Sequence, residues 1–228
     1  MNLIHRYKRK SVRTSLSILF TAQACMTALP AISADSTDVT IKGTIRPTAC
    51  DLSLSKNGLV DYGKIRALAL SDTMINILPS IPITLSIKCD QPTRFAVRLS
   101  DGRPGTALEE TNSQDTAQNF GLGTAGKHNI GSLRIYRKGG SKGDGNATGH
   151  LFQFMSTKHS WYTTTEEYAI NHRSFMTWAI PGARTPYAYS NMTQNLAVEA
   201  RLPRRSKLPD FSDGLTLDGL VTMTLYYL

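Results

Sequence analysis

The residues that could support catalysis are present, but their spacing does not match a working site. GLGTAGKH (residues 121–128) nearly fits the phosphate-binding loop G-x-x-x-x-G-K-[ST], yet His128 replaces the hydroxyl residue that would ligate Mg²⁺. The neighbouring carboxylates of Glu166 and Glu167 would point to opposite faces of a strand, so they would not share one site. We therefore predict that the protein is not an enzyme.

Metal-binding patterns are equally weak. The histidines lack tight ligand spacing, and no histidine is close in sequence to Cys50 or Cys89. The sequence therefore predicts neither a metal site nor a cofactor. The histidines considered are His128, His150, His159 and His172.

The N-terminus resembles an export signal. Five basic residues precede a short apolar stretch at residues 15–24, and small residues follow it. We predict that residues 1–33 are a signal peptide cleaved after Ser33, with cleavage after Ala34 as the near alternative. A disordered basic arm and a lipoprotein modified at Cys25 are the competing interpretations.

The charge of the chain is concentrated in this signal. The 228 residues contain 26 Lys and Arg against 17 Asp and Glu, and the first 33 residues hold five basic and no acidic residues. Residues 34–228 therefore carry a formal charge of only +4, which gives little reason to expect nucleic-acid binding. The basic run at 201–207 is better interpreted as a solvated loop.

Two cysteines remain after the signal, Cys50 and Cys89. An exported chain with an even cysteine count favours a disulfide, and two cysteines allow one pairing.

Alternating apolar and polar residues dominate the rest of the chain, and helical periodicity is scarce. Short strands separated by turn residues predict an all-β sandwich with seven or more strands. Residues 101–150 are rich in glycine and are predicted to be polar loops around a strand at Leu133–Tyr136. The other predicted strands lie at residues 39–45, 81–89, 95–99, 174–180, 196–202 and 215–227.

Residues 150–168 are rich in aromatic side chains, among them Trp161 and Tyr162. Core packing is the favoured explanation, and a binding surface is the alternative.

The two ends of the predicted mature chain are the most informative segments. ADSTDVTIKGTIRPTA (residues 34–49) has an apolar row and could be an ordinary first strand or an arm that pairs with another molecule. GLTLDGLVTMTLYYL (residues 214–228) is a strongly alternating C-terminal strand. Its inward row is predicted to be Leu215, Leu217, Val221, Met223, Leu225 and Tyr227.

These ends resemble those of chaperone–usher pilus (fimbrial) subunits of Gram-negative bacteria. ADSTDVTIKGTIRPTAC resembles the mature N-terminus of such pilins, and IPITLSIKC (residues 81–89) ends in the second cysteine. The C-terminal run has the family's glycine at Gly214 and its penultimate tyrosine at Tyr227. GLVDYGKI (58–65) and NFGLG (119–123) are similar to a less characterised fimbrial-type group.

The resemblance implies an incomplete immunoglobulin-like β-sandwich that lacks its last strand. It assigns residues 34–49 as a donor-strand extension and residues 50–228 as the pilin domain. A periplasmic chaperone would first fill the groove beside the C-terminal strand and anchor the carboxylate of Leu228. At the outer-membrane usher, the arm of the next subunit would replace the chaperone strand. The implied donor residues are Val39, Ile41, Gly43 and Ile45.

The resemblance thus implies a structural or adaptor subunit of a surface pilus that supports cell adhesion. It would be exported through the periplasm to the cell surface and would contact neighbouring pilus subunits. The alternative is a fimbrial tip subunit that binds a host glycan or protein receptor. A third interpretation, a periplasmic enzyme or binding protein, lacks a catalytic constellation. The position in the fibre stays open.

Overall fold

The computed structural model describes residue 42 and residues 49–108, 116–156, 160–165, 167–210 and 214–228. These residues form sixteen β-strands and four 3-10 turns, with no α-helix among them. The turns are Ser55–Gly58, Ala67–Ala69, Thr116–Gln118 and Arg205–Lys207. The strands are β1 (Cys50–Leu54), β2 (Asn76–Ile77), β3 (Ile81–Thr93), β4 (Phe95–Asp101), β5 (Phe120–Gly121), β6 (Thr124–Ala125), β7 (His128–Asn129), β8 (Ser132–Arg137), β9 (Lys142–Gly143), β10 (Asn146–Ala147), β11 (Gly149–Phe154), β12 (Tyr162–Thr163), β13 (Tyr168–Ala169), β14 (Ser174–Ala179), β15 (Tyr189–Leu202) and β16 (Val221–Tyr227).

The strands form two main antiparallel sheets. The first sheet has the central order β1-β3-β15-β8-β13, and the short strands β2, β5, β9 and β10 pair around it. The second sheet has the order β12-β11-β14-β4-β16. A separate hairpin joins β6 and β7. Within the described residues, β1 ends the path of the first sheet and β16 ends that of the second, so each is an edge strand.

One face of each sheet contributes to a shared hydrophobic core. The period-2 alternation places Leu85 and Ile87 of β3 inside, together with Val97 and Leu99 of β4. The sheets are also joined by a buried hydrogen bond, since the Nε1 of Trp178 donates to Oε1 of Gln194 at 2.9 Å. This β-sandwich-like arrangement confirms the all-β prediction.

Two regions differ from the predicted elements. Residues 116–148 hold five two-residue strands and the whole of β8, and they supply core side chains such as Phe120, Leu122 and Ile130. The strand predicted at Leu133–Tyr136 is confirmed by β8. The prediction of polar loops around it was wrong for residues 116–131 and 138–148, because their apolar residues are spread between turn glycines and form no visible run. The C-terminal strand also begins at Val221, not near Gly214.

Candidate functional site

Strand β16 has one row of apolar side chains that the core only partly covers. Val221, Met223 and Leu225 are half-buried and pack against the core, while Thr222 and Thr224 are exposed on the other face. One edge of β16 pairs with β4 over Val221–Tyr227, and the other has no strand partner in the described part of the chain. The inward row thus lies beside a free edge.

The opposing edge strand is β1, which pairs with β3 in the first sheet. Cys50 lies directly opposite Cys89 in this register, and the two form a disulfide with an S–S distance of 2.05 Å. The predicted pairing is therefore confirmed. Leu52 and Leu54 of β1 are also half-buried at the margin of the core.

An open groove of about 200 Å³ runs between these two edges. Its walls come from both sheets, and most of the lining side chains are apolar. The walls are formed by Leu54, Gly58, Leu59, Val60, Tyr62, Ile83, Leu122, Leu133, Ile135, Val198, Ala200, Leu217, Gly219, Val221 and Met223.

Tyr62 fixes one wall of the groove. Its hydroxyl donates to the carbonyl of Val198 and accepts from the N–H of Ala200, both at 2.9 Å. Burial raises the pKa of this phenol, so the hydroxyl stays protonated and can donate. The segment that carries Tyr62 is thereby tied to the backbone of β15.

One end of the groove is bridged by the penultimate residue. The N–H of Cys50 donates to the Tyr227 hydroxyl at 3.0 Å, and this contact joins β16 to the start of β1. The N–H of Leu228 donates to the carbonyl of Arg94. The side chain of Leu228 is exposed.

At the other end, residues 214–220 approach β16 without forming a strand. The N–H of Asp218 donates to the Leu122 carbonyl, and the Asp218 carboxylate accepts two hydrogen bonds from Arg103 at 2.8 and 2.9 Å. The Arg103 hydrogen bond lowers the pKa of Asp218. A Cβ on Gly219 would lie 2.7 Å from Cδ2 of Leu133, so this position suits glycine.

The structure brings together most of the predicted C-terminal site residues. Leu217, Val221 and Met223 line the groove, Leu225 packs at its margin, and Tyr227 bridges its end. Gly214 lies before the groove with a φ of +92°, which favours glycine. The predicted donor residues, Val39, Ile41, Gly43 and Ile45, lie outside the described residues.

Sequence reasoning missed the groove wall formed by Val60 and Tyr62. Their stretch carried the resemblance, but no local signal shows that it packs on β15.

A second miss is the sequence GGSKG (residues 139–143), which fits the nucleophile pattern G-x-S-x-G. Ser141 Oγ lies 2.5 Å from Nε2 of His150, so the pair has the contact expected of a nucleophile and its base. Both residues are buried, however, and no helix follows Ser141 in the described part of the chain. Burial and the nearby Arg137 lower the pKa of His150 to about 4, which disfavours the imidazolium that a catalytic base must form. Ser141 is thus neither exposed at a strand-to-helix turn nor beside a readily protonated imidazole.

The glycines of the phosphate-loop-like segment have packing roles. Residues 124–129 form the β6–β7 hairpin, not a helix N-terminus. A Cβ on Gly121 would overlap the backbone carbonyl of Arg103, and Gly123 and Gly126 have φ values of +86° and +60°. The near-match thus follows from close packing and turns.

The aromatic tract mostly packs on itself. Phe152 contacts Phe154, Tyr162 and Tyr168 at ring-centroid distances of 5.0 to 5.5 Å. Trp161 is half-buried and Tyr162 is exposed. The rings connect β11, β12 and β13 across the two sheets, but none of them belongs to the buried core, so the core-packing prediction is not confirmed.

Two searches of the described residues gave negative results. No group of three or more potential metal ligands occurs there. None of the helical segments there is long and apolar enough to cross a bilayer.

Comparison with known proteins identifies relatives over nearly the whole chain. GltF of Escherichia coli (strain K12) is 30% identical over 250 residues, which cover 92% of this chain and 98% of GltF. The chain belongs to the GltF family. YhcF of the same organism, described as uncharacterized, is 24% identical over 92% of the chain and 98% of its own length. A family model described as "Protein of unknown function (DUF1120)" matches residues 39–145.

The match to this model contains both cysteines of the disulfide and the groove wall that carries Tyr62. The groove is therefore formed partly by residues within the match to the DUF1120 model and partly by later residues, including those of the C-terminal strand. The names of the two relatives, GltF and YhcF, specify no substrate, ligand or assembly.

Proposed function

We propose that this chain is a structural or adaptor subunit of a surface pilus, assembled by donor-strand exchange. The observation that carries the proposal is the half-buried apolar row of β16, which faces an open groove between two free sheet edges. A strand placed in this groove would pair with a free edge and cover the row. The domain is then an immunoglobulin-like sandwich that lacks one strand.

The energetics favour an added strand. Fully burying one apolar side chain stabilises by about 1.5–3 kcal/mol, and here at least three such side chains remain partly exposed. Free strand edges also promote unwanted association when they are left uncovered. An isolated subunit should therefore have modest stability and should gain from a partner.

The proposed donor is residues 34–49 of a neighbouring subunit. Val39, Ile41 and Ile45 would fill the groove, and Gly43 would leave one shallow position where exchange can begin. Before assembly, a periplasmic chaperone would occupy the groove and hold the Leu228 carboxylate, and the outer-membrane usher would mediate exchange. The product would lie at the cell surface, and the mechanism needs no cofactor or catalysis.

The tip-subunit alternative has less support. A receptor site in the 150–168 tract would need accessible aromatic faces. Phe152 and Tyr168 stack on one another at 5.5 Å with an interplanar angle of 23°, and Tyr162 is the exposed aromatic residue in the described part of the tract.

The test is strand complementation. Oxidised residues 50–228 would be melted alone and with increasing amounts of a peptide of residues 34–49. The matched control is the same peptide with Ile41 and Ile45 replaced by Asp. We expect the melting temperature to rise with the native peptide and not with the control. The proposal would be contradicted if neither peptide changed the melting temperature and a cognate periplasmic chaperone did not change it either.

A further inference from the structure

Arg137 is a fully buried cation without a complete set of partners. It is 1% exposed and lies on the core face of β8, in the same row as Leu133 and Ile135. In the described part of the chain, its Nε and Nη2 have no hydrogen-bond acceptor. The guanidinium lies 5.9 Å from the ring centre of Tyr168, which covers it from the neighbouring strand β13.

Two neutral polar groups of the facing sheet are the imidazole of His150, in β11, and the hydroxyl of Thr164, directly after β12. His150 is buried close enough for Arg137 to lower its pKa, and at neutral pH it is uncharged. Thr164 lies beside His150, because its N–H donates to the His150 carbonyl at 3.2 Å. The hydroxyl of Thr164 is also buried without a partner among the described residues.

The described carboxylates do not neutralise Arg137. Glu167, which precedes Tyr168, accepts a hydrogen bond from Lys138 at 2.8 Å and belongs to an exposed pair. Asp144, the described carboxylate nearest to Arg137 in sequence, accepts hydrogen bonds from the N–H groups of Ser190 and Asn191. Burial lowers the pKa of Arg137 to about 10, so the guanidinium is still charged at neutral pH. A buried unpaired charge costs several kcal/mol, and an anion beside it would remove most of that cost.

We propose that Arg137, with the hydroxyl of Thr164, binds a small monovalent anion such as chloride between the two sheets. The size limit follows from burial, since Arg137 is 1% exposed and the stacked rings of Tyr168 and Phe152 restrict entry. The bound anion would hold β8 to the end of the second sheet that carries β11 and β12. Neither Arg137 nor Thr164 lines the groove, so this proposal does not depend on the proposed pilus role.

The first experiment measures thermal stability of the oxidised mature chain, residues 34–228, in sodium chloride and in sodium gluconate at equal ionic strength. Gluconate screens charge similarly but is too large for the site. Above half-saturation, each tenfold increase in chloride should raise the melting temperature by about 3–5 °C, since tenfold corresponds to about 1.4 kcal/mol. Arg137→Met should abolish this difference, and the matched control Lys138→Met should keep it.

A second measurement guards against a variant that fails to fold. Crystals of the wild-type chain soaked in sodium bromide should show an anomalous peak in contact with the Arg137 guanidinium. Identical melting in chloride and gluconate, with no bromide peak, would overturn the proposal. It would also be overturned if Glu166→Gln, a position outside the described residues, destabilised the chain while chloride had no effect, because the counter-ion would then belong to the chain.

Discussion

Met223 and Leu99 test whether the groove is an incomplete core. They are register partners on β16 and β4, yet Leu99 is 0% exposed and Met223 is half-buried at the groove. Met223→Asp in the isolated domain loses about half the burial of a methionine side chain, or about 1 kcal/mol, because the carboxylate can reach solvent through the groove. Leu99→Asp should cost about 4 kcal/mol or more, since its carboxylate would be enclosed.

Met223→Asp should have only a small effect on the stability of the isolated domain but a large effect on its affinity for the donor strand. With the groove filled, the carboxylate introduced by Met223→Asp would be buried without a partner, which costs at least about 3 kcal/mol. The affinity for the 34–49 peptide should therefore fall about 100-fold or more. Thr224→Asp, on the exposed face of the same strand, should change the affinity less than about threefold.

Denaturant unfolding of oxidised residues 50–228 measures the free energy of unfolding of each variant. Titration with labelled peptide measures its affinity for the donor strand. The reasoning fails if Met223→Asp destabilises the isolated domain as much as Leu99→Asp, since the groove would then already be closed core. It also fails if the Met223 and Thr224 variants bind the peptide equally well.

Three further outcomes are expected. Because burial depresses the pKa of His150 to about 4 from 6.5, the unfolded chain binds the proton first as the pH falls. The free energy of unfolding should therefore drop by about 3 kcal/mol between pH 6.5 and 4. Urea unfolding of His150→Gln over the same pH range should show a smaller drop. Gly121→Ala should destabilise by about 3 kcal/mol, since its Cβ would overlap the Arg103 carbonyl; a wild-type urea midpoint would contradict this. Replacing Cys50 and Cys89 by Ser should cost about 2–5 kcal/mol, and an unchanged melting temperature would show that the disulfide is dispensable.

Features with a local cause were predictable from the sequence. Strand β3 contains the predicted strand IPITLSIKC and continues beyond it to Thr93. Strand β14 (SFMTWA) ends one residue before its predicted end. The half-buried positions Val221, Met223 and Leu225 of β16 followed from the same alternation, although Tyr227 in the same row is exposed. The two cysteines outside the predicted signal allowed one pairing. These features depend on the period-2 geometry of a strand or on simple counting.

Other features depend on residues far apart in the chain. The start of the C-terminal strand was placed too early, because the Asp218 N–H bonds Leu122 and the Asp218 carboxylate pairs with Arg103, so residues 214–220 leave the strand pattern. Gly121 of the phosphate-loop-like segment allows close packing against the Arg103 backbone. Ser141 and His150, nine residues apart, form a buried hydrogen bond.

The sequence by itself determined that this is an all-β chain with one disulfide and a C-terminal strand that has one apolar face. These properties are encoded in neighbouring residues. Only the tertiary structure decided that this face is left partly exposed and that Tyr62 forms the wall of a groove beside it. It also decided that Arg137 is buried while two of its nitrogens lack an acceptor among the described residues. Each of these depends on which side chains the two sheets place opposite one another, and no local pattern carries that information.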